Sequence, residues 1–287
     1  MSYVLGGLAI GSVYALIAIG VVLIFRSTGV VNFAQGELMM IGAYAYVEVG
    51  GLTTSPIVSM IVAVSGGIAA GSLFFFVVHH LLRGRSLITM VIGTLALLLL
   101  LQAAARLYYT DNPRRAEGWI FGDRTVMMMG TNLTANSLLT LGFTILVGLG
   151  FYVWFRFSLI GKAMLAVAES PHRAALSGVP VRLVLWMSWA IGGGLAAAAG
   201  VLVSPLTGVF PAMGGIVLFP AFIAALLGGL DSVLGAVVGG LLLGLLETYA
   251  VVTVGGTYRD MVVFALLIVL LLFRPAGLFG SASLRRF

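Results

Sequence analysis

Apolar runs of membrane-spanning length recur along this chain almost without interruption, and nothing else constrains its fold so tightly. About 20 apolar residues in a helix cross the hydrocarbon core of a bilayer. Residues 3–25, 56–82, 86–108, 137–157, 182–203, 233–252 and 258–273 read as such spans. Lipid offers the backbone no hydrogen-bond partner, so each run must satisfy its own N–H and C=O groups as a helix. Hydrophobic residues make up 61% of the chain and charged residues only 8%, and no polar segment is long enough for a separate soluble domain. The expected class is therefore all-α: one transmembrane domain, residues 1–287, folded as a polytopic helical bundle of eight or nine spans.

Two regions break the pattern. Residues 30–48 form a short segment carrying Asn32, Gln35, Glu37 and Glu48. Residues 204–220 are interrupted by Pro205, Gly208, Pro211, Gly214, Gly215 and Pro220, and 219–230 is a short apolar piece. Broken backbone at membrane depth survives only where protein buries it or water reaches it, so these regions point to half-helices beside a translocation path. Counting every apolar piece as a crossing gives nine, with the N-terminus outside. The basic residues fix that orientation by the positive-inside tendency: Arg83 and Arg85, Arg156 to Arg182, and Arg274 to Arg286 fall on the cytoplasmic side. The loop 109–136, with Arg114, Arg115, Glu117, Asp123 and Arg124, is then extracytoplasmic. The start, MSYVLGGLAIG, has no basic stretch and reads as a first span, not a cleaved signal peptide.

Glycine is abundant, at 39 residues, roughly twice the usual share of about 7%. Helices in lipid associate through close backbone packing. Gly235, Gly239, Gly240 and Gly244 give small-xxx-small spacing on one helix, and Gly66, Gly67 and Gly71 on another. The strings GGLAIG at 6–11 and GGLLLG at 239–244 echo each other. Transporters often contain repeated halves, but strings this short also match by chance.

Several chemistries are excluded. Without cysteine there is no disulfide framework, thiolate nucleophile or Cys-bound metal. There is no HExxH and no glycine-rich phosphate loop, so any ATP hydrolysis belongs to another chain. No nucleophile–base–acid set argues for an enzyme, and the net charge of +6 is scattered at span ends, not gathered for nucleic acid. His79 and His80 are adjacent, point different ways on a helix, and read as an interfacial pair. Glu37 and Glu247 are the acids placed within membrane depth, where an ionisable group is expensive and a functional candidate. The alternatives for them are a helix-start acid favoured by the dipole and a hydrogen bond to a neighbouring helix, respectively.

The polar run GKAMLAVAESPHRAALSGVP, residues 161–180, stands between two apolar segments. Residues 159–169 read as one short helix. Ser170 caps a second with Pro171 at its first position, and Gly178 ends it. Glu169 and Arg173 are spaced i,i+4 in the favourable order. A short, capped, charged element between spans suits a cytoplasmic docking role.

Four strings, in order, make the chain similar to a known family. They are GSVYALIAIGVVLIFRSTGVVNFAQGELMMIGAY, GKAMLAVAESPHRAALSGV, LLGGLDSVLGAVVGGLLLGLLE and FRPAGLFG. Together they resemble the permease subunits of branched-chain amino acid ABC importers, of the LivH type. Gln35, where many members carry His, and Asp231, where a small residue is commoner, depart from the pattern. The resemblance implies an ABC importer permease in a bacterial inner membrane, with a cytoplasmic C-terminus. It implies a heterodimer with a second permease subunit, two cytoplasmic ATPases holding ATP and magnesium, and a periplasmic substrate-binding protein. No cofactor or metal is implied on this chain. The stretch 158–182 becomes the loop that couples to an ATPase. Glu169 and Arg173 supply its polar contacts, Ala174 and Ala175 allow close approach, and Gly178 turns the chain. Asn32, Gln35, Glu37 and Glu247 border the pathway or its gate. The implied substrates are hydrophobic amino acids, with urea, short amides or carboxylates as alternatives. The rival class is a secondary transporter coupling ions through Glu37 and Glu247.

Overall fold

The structure, a computed structural model, describes residues 2–53, 55–82, 85–114, 124–128 and 131–280. The side chains of His79, His80 and Arg156, and residues Arg83, Arg115, Glu117, Asp123 and Arg286, all used above, lie outside the described residues. The apolar runs are helices: α1 (Ser2–Thr28), α2 (Gln35–Gly50), α3 (Pro56–Leu81), α4 (Leu87–Tyr108), α5 (Ala135–Phe157), α6 (Leu159–Glu169), α7 (Pro171–Leu176), α8 (Val181–Thr207), α9 (Met213–Gly228), α10 (Val233–Val254) and α11 (Arg259–Phe273). Among the described residues, six are long and apolar enough to cross a membrane: α1, α3, α4, α5, α8 and α10. The shorter α2, α9 and α11, of 16, 16 and 15 residues, complete the traverses. The loop expected at 109–136 is in part a hairpin, β1 (Thr125–Met128) paired antiparallel with β2 (Thr131–Thr134). Two opposite ends of the bundle can be named from this hairpin and from the helix pair α6–α7.

The broken regions explain each other. Helices α1, α2 and α3 have 27, 16 and 26 residues. Helices α8, α9 and α10 have 27, 16 and 22. In each trio a long helix ends at a left-handed glycine, Gly29 (φ 70°) or Gly208 (φ 74°). The chain then turns back into the bundle and starts a short helix with an alanine at its N-cap, Ala34 or Ala212, and glycine two residues on. The packing is reciprocal, α1 against α10 and α3 against α8. The trios are thus an inverted repeat, a plan common in transporters.

The echo between 6–11 and 239–244 has a different origin. Under the repeat α1 corresponds to α8, not to α10. The two strings are partners in one antiparallel crossing: Gly7 meets Gly244, and Gly11 meets Gly240. Gly67 and Gly71 make the matching crossing on α8 against Gly193, Ala197 and Trp189. Gly66, grouped with them by sequence, has open space beside it.

The centre is closely packed. Leu16, Ile17, Ile19, Ile24, Leu38, Met39 and Leu202 are buried completely. The C-terminal segment folds back on the α9–α10 turn, where Leu278 N donates to Leu227 O at 2.8 Å and Phe279 N to Gly228 O at 3.0 Å. Two of the family-like strings, separated in sequence, therefore form one structure at the α6–α7 end. By contrast α3, α4, α5 and α11 present many exposed apolar side chains, among them Ile61, Leu99, Leu146 and Ile268, as lipid-facing helices do.

Candidate functional site

Helices α2 and α9 run in opposite directions from a common start. The far end of α2 carries Glu48, which pairs with Arg114 at 2.7 Å near the hairpin. The far end of α9 reaches Gly228 and Gly229, under the C-terminal segment at the α6–α7 end. Their N-termini meet between those ends: a Cβ on Gly36 would collide with the Gly214 carbonyl, and one on Gly214 would stand 2.7 Å from the Gly36 carbonyl oxygen. Glycine at both positions is what allows the approach. Neither helix start has a side-chain cap; the N–H groups of Gln35, Glu37 and Met213 bond back to the preceding turn, and both starts keep their positive dipole ends.

Asn32, Gln35 and Glu37 assemble at this junction, and all three are buried. Asn32 Nδ2 donates to Gln35 Oε1 at 3.3 Å, and Asn32 Oδ1 accepts from Ala34 N at 3.0 Å. Gln35 Nε2 donates to Gly192 O on α8 at 2.8 Å. Thr94 on α4 accepts from Phe33 N at 3.2 Å and holds the re-entrant segment from outside. Glu37 differs from its neighbours. Its carboxylate points at α9, where a Cβ on Gly214 would lie 2.8 Å from Oε1. Neither carboxylate oxygen has a hydrogen-bond partner.

Glu247 does not join this group. It is buried on α10, and its Oε1 accepts from Arg259 Nε at the start of α11. Arg259 Nη2 also donates to Tyr14 OH on α1 at 2.8 Å. Apart from the α2–α9 junction, Glu247 anchors an ion pair that ties α1, α10 and α11 together. Sequence reading missed Arg259 and Tyr14. The signal was present, because Glu247 and Arg259 flank the Gly255–Gly256 turn of a helical hairpin and are opposite in charge.

At the hairpin end, Arg114 lies over the Tyr109 ring, its guanidinium carbon 4.9 Å from the centroid. Tyr109 in turn stacks on Tyr44 at 3.8 Å. Burial pushes the Tyr109 phenol above its ordinary range, with Glu48 and Tyr108 acting the same way and Arg114 opposing them. Arg114 N donates to Val209 O at 2.9 Å, and Val209 N returns a bond at 2.8 Å. This pair ties the connection after α4 to the segment that plunges towards α9.

The other end carries α6–α7. The helix limits match the sequence reading. Ser170 Oγ accepts from Arg173 N at 3.3 Å, Pro171 occupies the first turn, and Gly178 has φ 81°. Glu169, Arg173, Ala175 and Gly178 are exposed, as is His172. Two expectations are corrected. The break at Ser170 puts Glu169 and Arg173 on different helices, so their spacing makes no i,i+4 face, and the structure pairs neither with the other. Ala174 is 3% exposed and packs into this chain's own core, whereas Ala175 is exposed and Leu176, which was not singled out, is 77% exposed. Arg26 closes α1 beneath this pair, within the fields of Asp231 and Glu169. A cavity of about 290 Å³ separates it from Leu165 and the start of α10.

A polytopic bundle built on inverted broken helices is a plan common among membrane transporters, and the relatives of this chain are transport permeases. Residues 3–271 match the family described as branched-chain amino acid transport system / permease component, and the chain belongs to that family. It is 33% identical over 302 residues to the high-affinity branched-chain amino acid transport system permease protein BraD of Pseudomonas aeruginosa, covering 100% of this chain and 97% of that one. It is 32% identical to LivH of Escherichia coli K12, covering 98% and 95%. A probable LivH of Methanocaldococcus jannaschii is 28% identical, covering 96% and 91%. Among solved structures, PsaBC from Streptococcus pneumoniae in complex with Fab superposes with a TM-score of 0.51 at 13% identity, over 100% of this chain and 96% of that one. That likeness concerns the fold alone.

Proposed function

We propose that this chain is a permease subunit of an ATP-driven, binding-protein-dependent importer of branched-chain or other hydrophobic amino acids. The observation that carries the reading is α6–α7, a separately capped helix pair set outside the long helices, with Glu169, Arg173, Ala175 and Leu176 exposed. An element of this size reaches a cleft in a soluble partner without disturbing the bundle. Hydrolysis of ATP with magnesium takes place on two such partners, and their closure moves α6 against α1, α5 and α8, its neighbours in the bundle. A second permease subunit completes the pore, and a periplasmic binding protein delivers substrate at the hairpin end. The C-terminus and α6–α7 face the cytoplasm of a bacterial inner membrane, in line with Arg26, Arg173, Arg182 and Arg274 at that end. The substrate class follows the relatives' names, with urea, short amides and carboxylates as the competing cargoes.

The test begins with purification of the tagged chain in mild detergent and identification of co-eluting proteins. Two ATPases and a second permease are expected, with leucine uptake into proteoliposomes that requires ATP and the binding protein. Replacing Glu169 and Arg173 together is expected to leave the complex in the membrane and uncouple hydrolysis from uptake. A homo-oligomer without ATPases, driving uptake from an ion gradient, overturns the reading.

A further inference from the structure

The junction of α2 and α9 holds a buried acid that no donor within the fold satisfies. The Glu37 carboxylate is completely buried, and both its oxygens lack partners. The ion pairs among the described residues lie elsewhere, at Arg106–Asp111, Arg114–Glu48 and Arg259–Glu247. The nearby amides are already committed, Gln35 to Gly192 O and Asn32 to Gln35. A buried acceptor of this kind demands a donor. Beside it stand two uncapped helix starts, each worth roughly half a positive charge. The junction therefore presents about one negative and one positive charge side by side.

That is the complement of a zwitterion. We propose that Glu37 and the first turns of α2 and α9 form the binding site for the charged end of an α-amino acid in transit. Its ammonium pairs with Glu37 and its carboxylate takes the N–H groups of Gly36, Gly214 and Gly215, since those of Gln35, Glu37 and Met213 already bond to the preceding turn. In the present state the site is collapsed, because Gly36 and Gly214 touch, and it opens when α2 and α9 part. The side chain of the bound amino acid points towards the α6–α7 end, where Phe33 and Phe222, with ring centroids 6.0 Å apart, provide an apolar wall. A neutral cargo such as urea uses neither charge, and a simple carboxylate is repelled by Glu37. The inference rests on the amino acid transport reading and selects among its cargoes.

The experiment is binding of radiolabelled leucine to the permease complex as purified from the membrane, without binding protein. Two analogues each keep one charge: 4-methylpentanoate lacks the ammonium and 3-methylbutylamine lacks the carboxylate. Leucine is expected to bind, and each analogue to compete at least tenfold more weakly. Glu37→Gln is expected to weaken leucine at least tenfold while strengthening 4-methylpentanoate, a reversal that a purely structural disturbance does not produce. If Glu37→Gln does not assemble, Glu37→Asp is expected to bind leucine more weakly but keep the order of the analogues. Absence of leucine binding in the wild type, unchanged binding in the variant, or parallel loss of leucine and 4-methylpentanoate overturns the site. ATP-dependent leucine uptake by the wild-type complex alongside any of those results leaves the transport reading standing and removes only the site.

Discussion

Replacing Arg259 with methionine should damage this protein more than replacing the acid it holds. Arg259 and Glu247 are paired, but their side chains are 32% and 5% exposed. Arg259→Met strips the partner from a buried carboxylate whose second oxygen already lacks one. Breaking a buried pair from that side costs about 3–5 kcal/mol, because the remaining charge is uncompensated. Glu247→Gln leaves the cation instead, and at a third exposed it turns to solvent while keeping its bond to Tyr14 OH. The loss is then that of a charge-assisted hydrogen bond, about 1.5–3 kcal/mol. The double variant Arg259→Met with Glu247→Leu removes both charges and should return close to wild type, since apolar replacement of a buried pair is often neutral. Unfolding of the detergent-solubilised protein, followed through its four tryptophans, gives the order: Arg259→Met least stable, Glu247→Gln intermediate, the double variant near the parent. An Arg259→Met protein as stable as Glu247→Gln, or a double variant worse than both, refutes the assignment of this triad as a buried structural lock.

Three further outcomes follow from the geometry. Gly244→Ala places a methyl against the Gly7 carbonyl and the Gly11 backbone, costing about 1–3 kcal/mol of overpacking, whereas Gly66→Ala meets nothing within 4 Å and gains roughly 0.5–1 kcal/mol of helix propensity; size-exclusion profiles after stepwise heating separate the two. Ser170→Ala removes the cap of the six-residue α7, about 1 kcal/mol, and hydrogen exchange should rise over residues 172–177 with α8 unaffected. Arg114→Ala breaks an ion pair whose side chains are 45% and 48% exposed, so melting should shift by less than about 1 kcal/mol, and a larger loss means the Val209 bridge depends on the side chain.

The α6–α7 element was legible in sequence because its signals are local. Ser158, Ser170, Pro171 and Gly178 act on their own backbone within a few residues, and their effect needs no tertiary partner. The same holds for the long spans, whose length and apolarity suffice. Which side of α7 faces outward was not local: Ala174 is turned into the core and Leu176 out by tertiary packing, which composition does not encode. The two acids at membrane depth looked alike in sequence. Glu247 has a cation one helical hairpin away, whereas Glu37 faces a glycine 177 positions later in the chain.

The sequence by itself determined that this chain is an all-helical membrane protein, where most of its long helices run, and that residues 30–48 and 204–220 break the pattern, although α9 begins at Met213, six residues before the apolar piece expected at 219–230. Hydrophobicity, capping residues, proline and glycine carry that information, because each acts through the solvent or the adjacent backbone. Only the tertiary structure decided that the two breaks are one feature. The long helices bring Gly36 and Gly214 into contact from opposite directions, and side-chain-free backbones at those points bring two positive helix ends up to one buried carboxylate that neither of them hydrogen-bonds. That pairing depends on how the two halves of the inverted repeat pack, a long-range property that no local pattern in either half records.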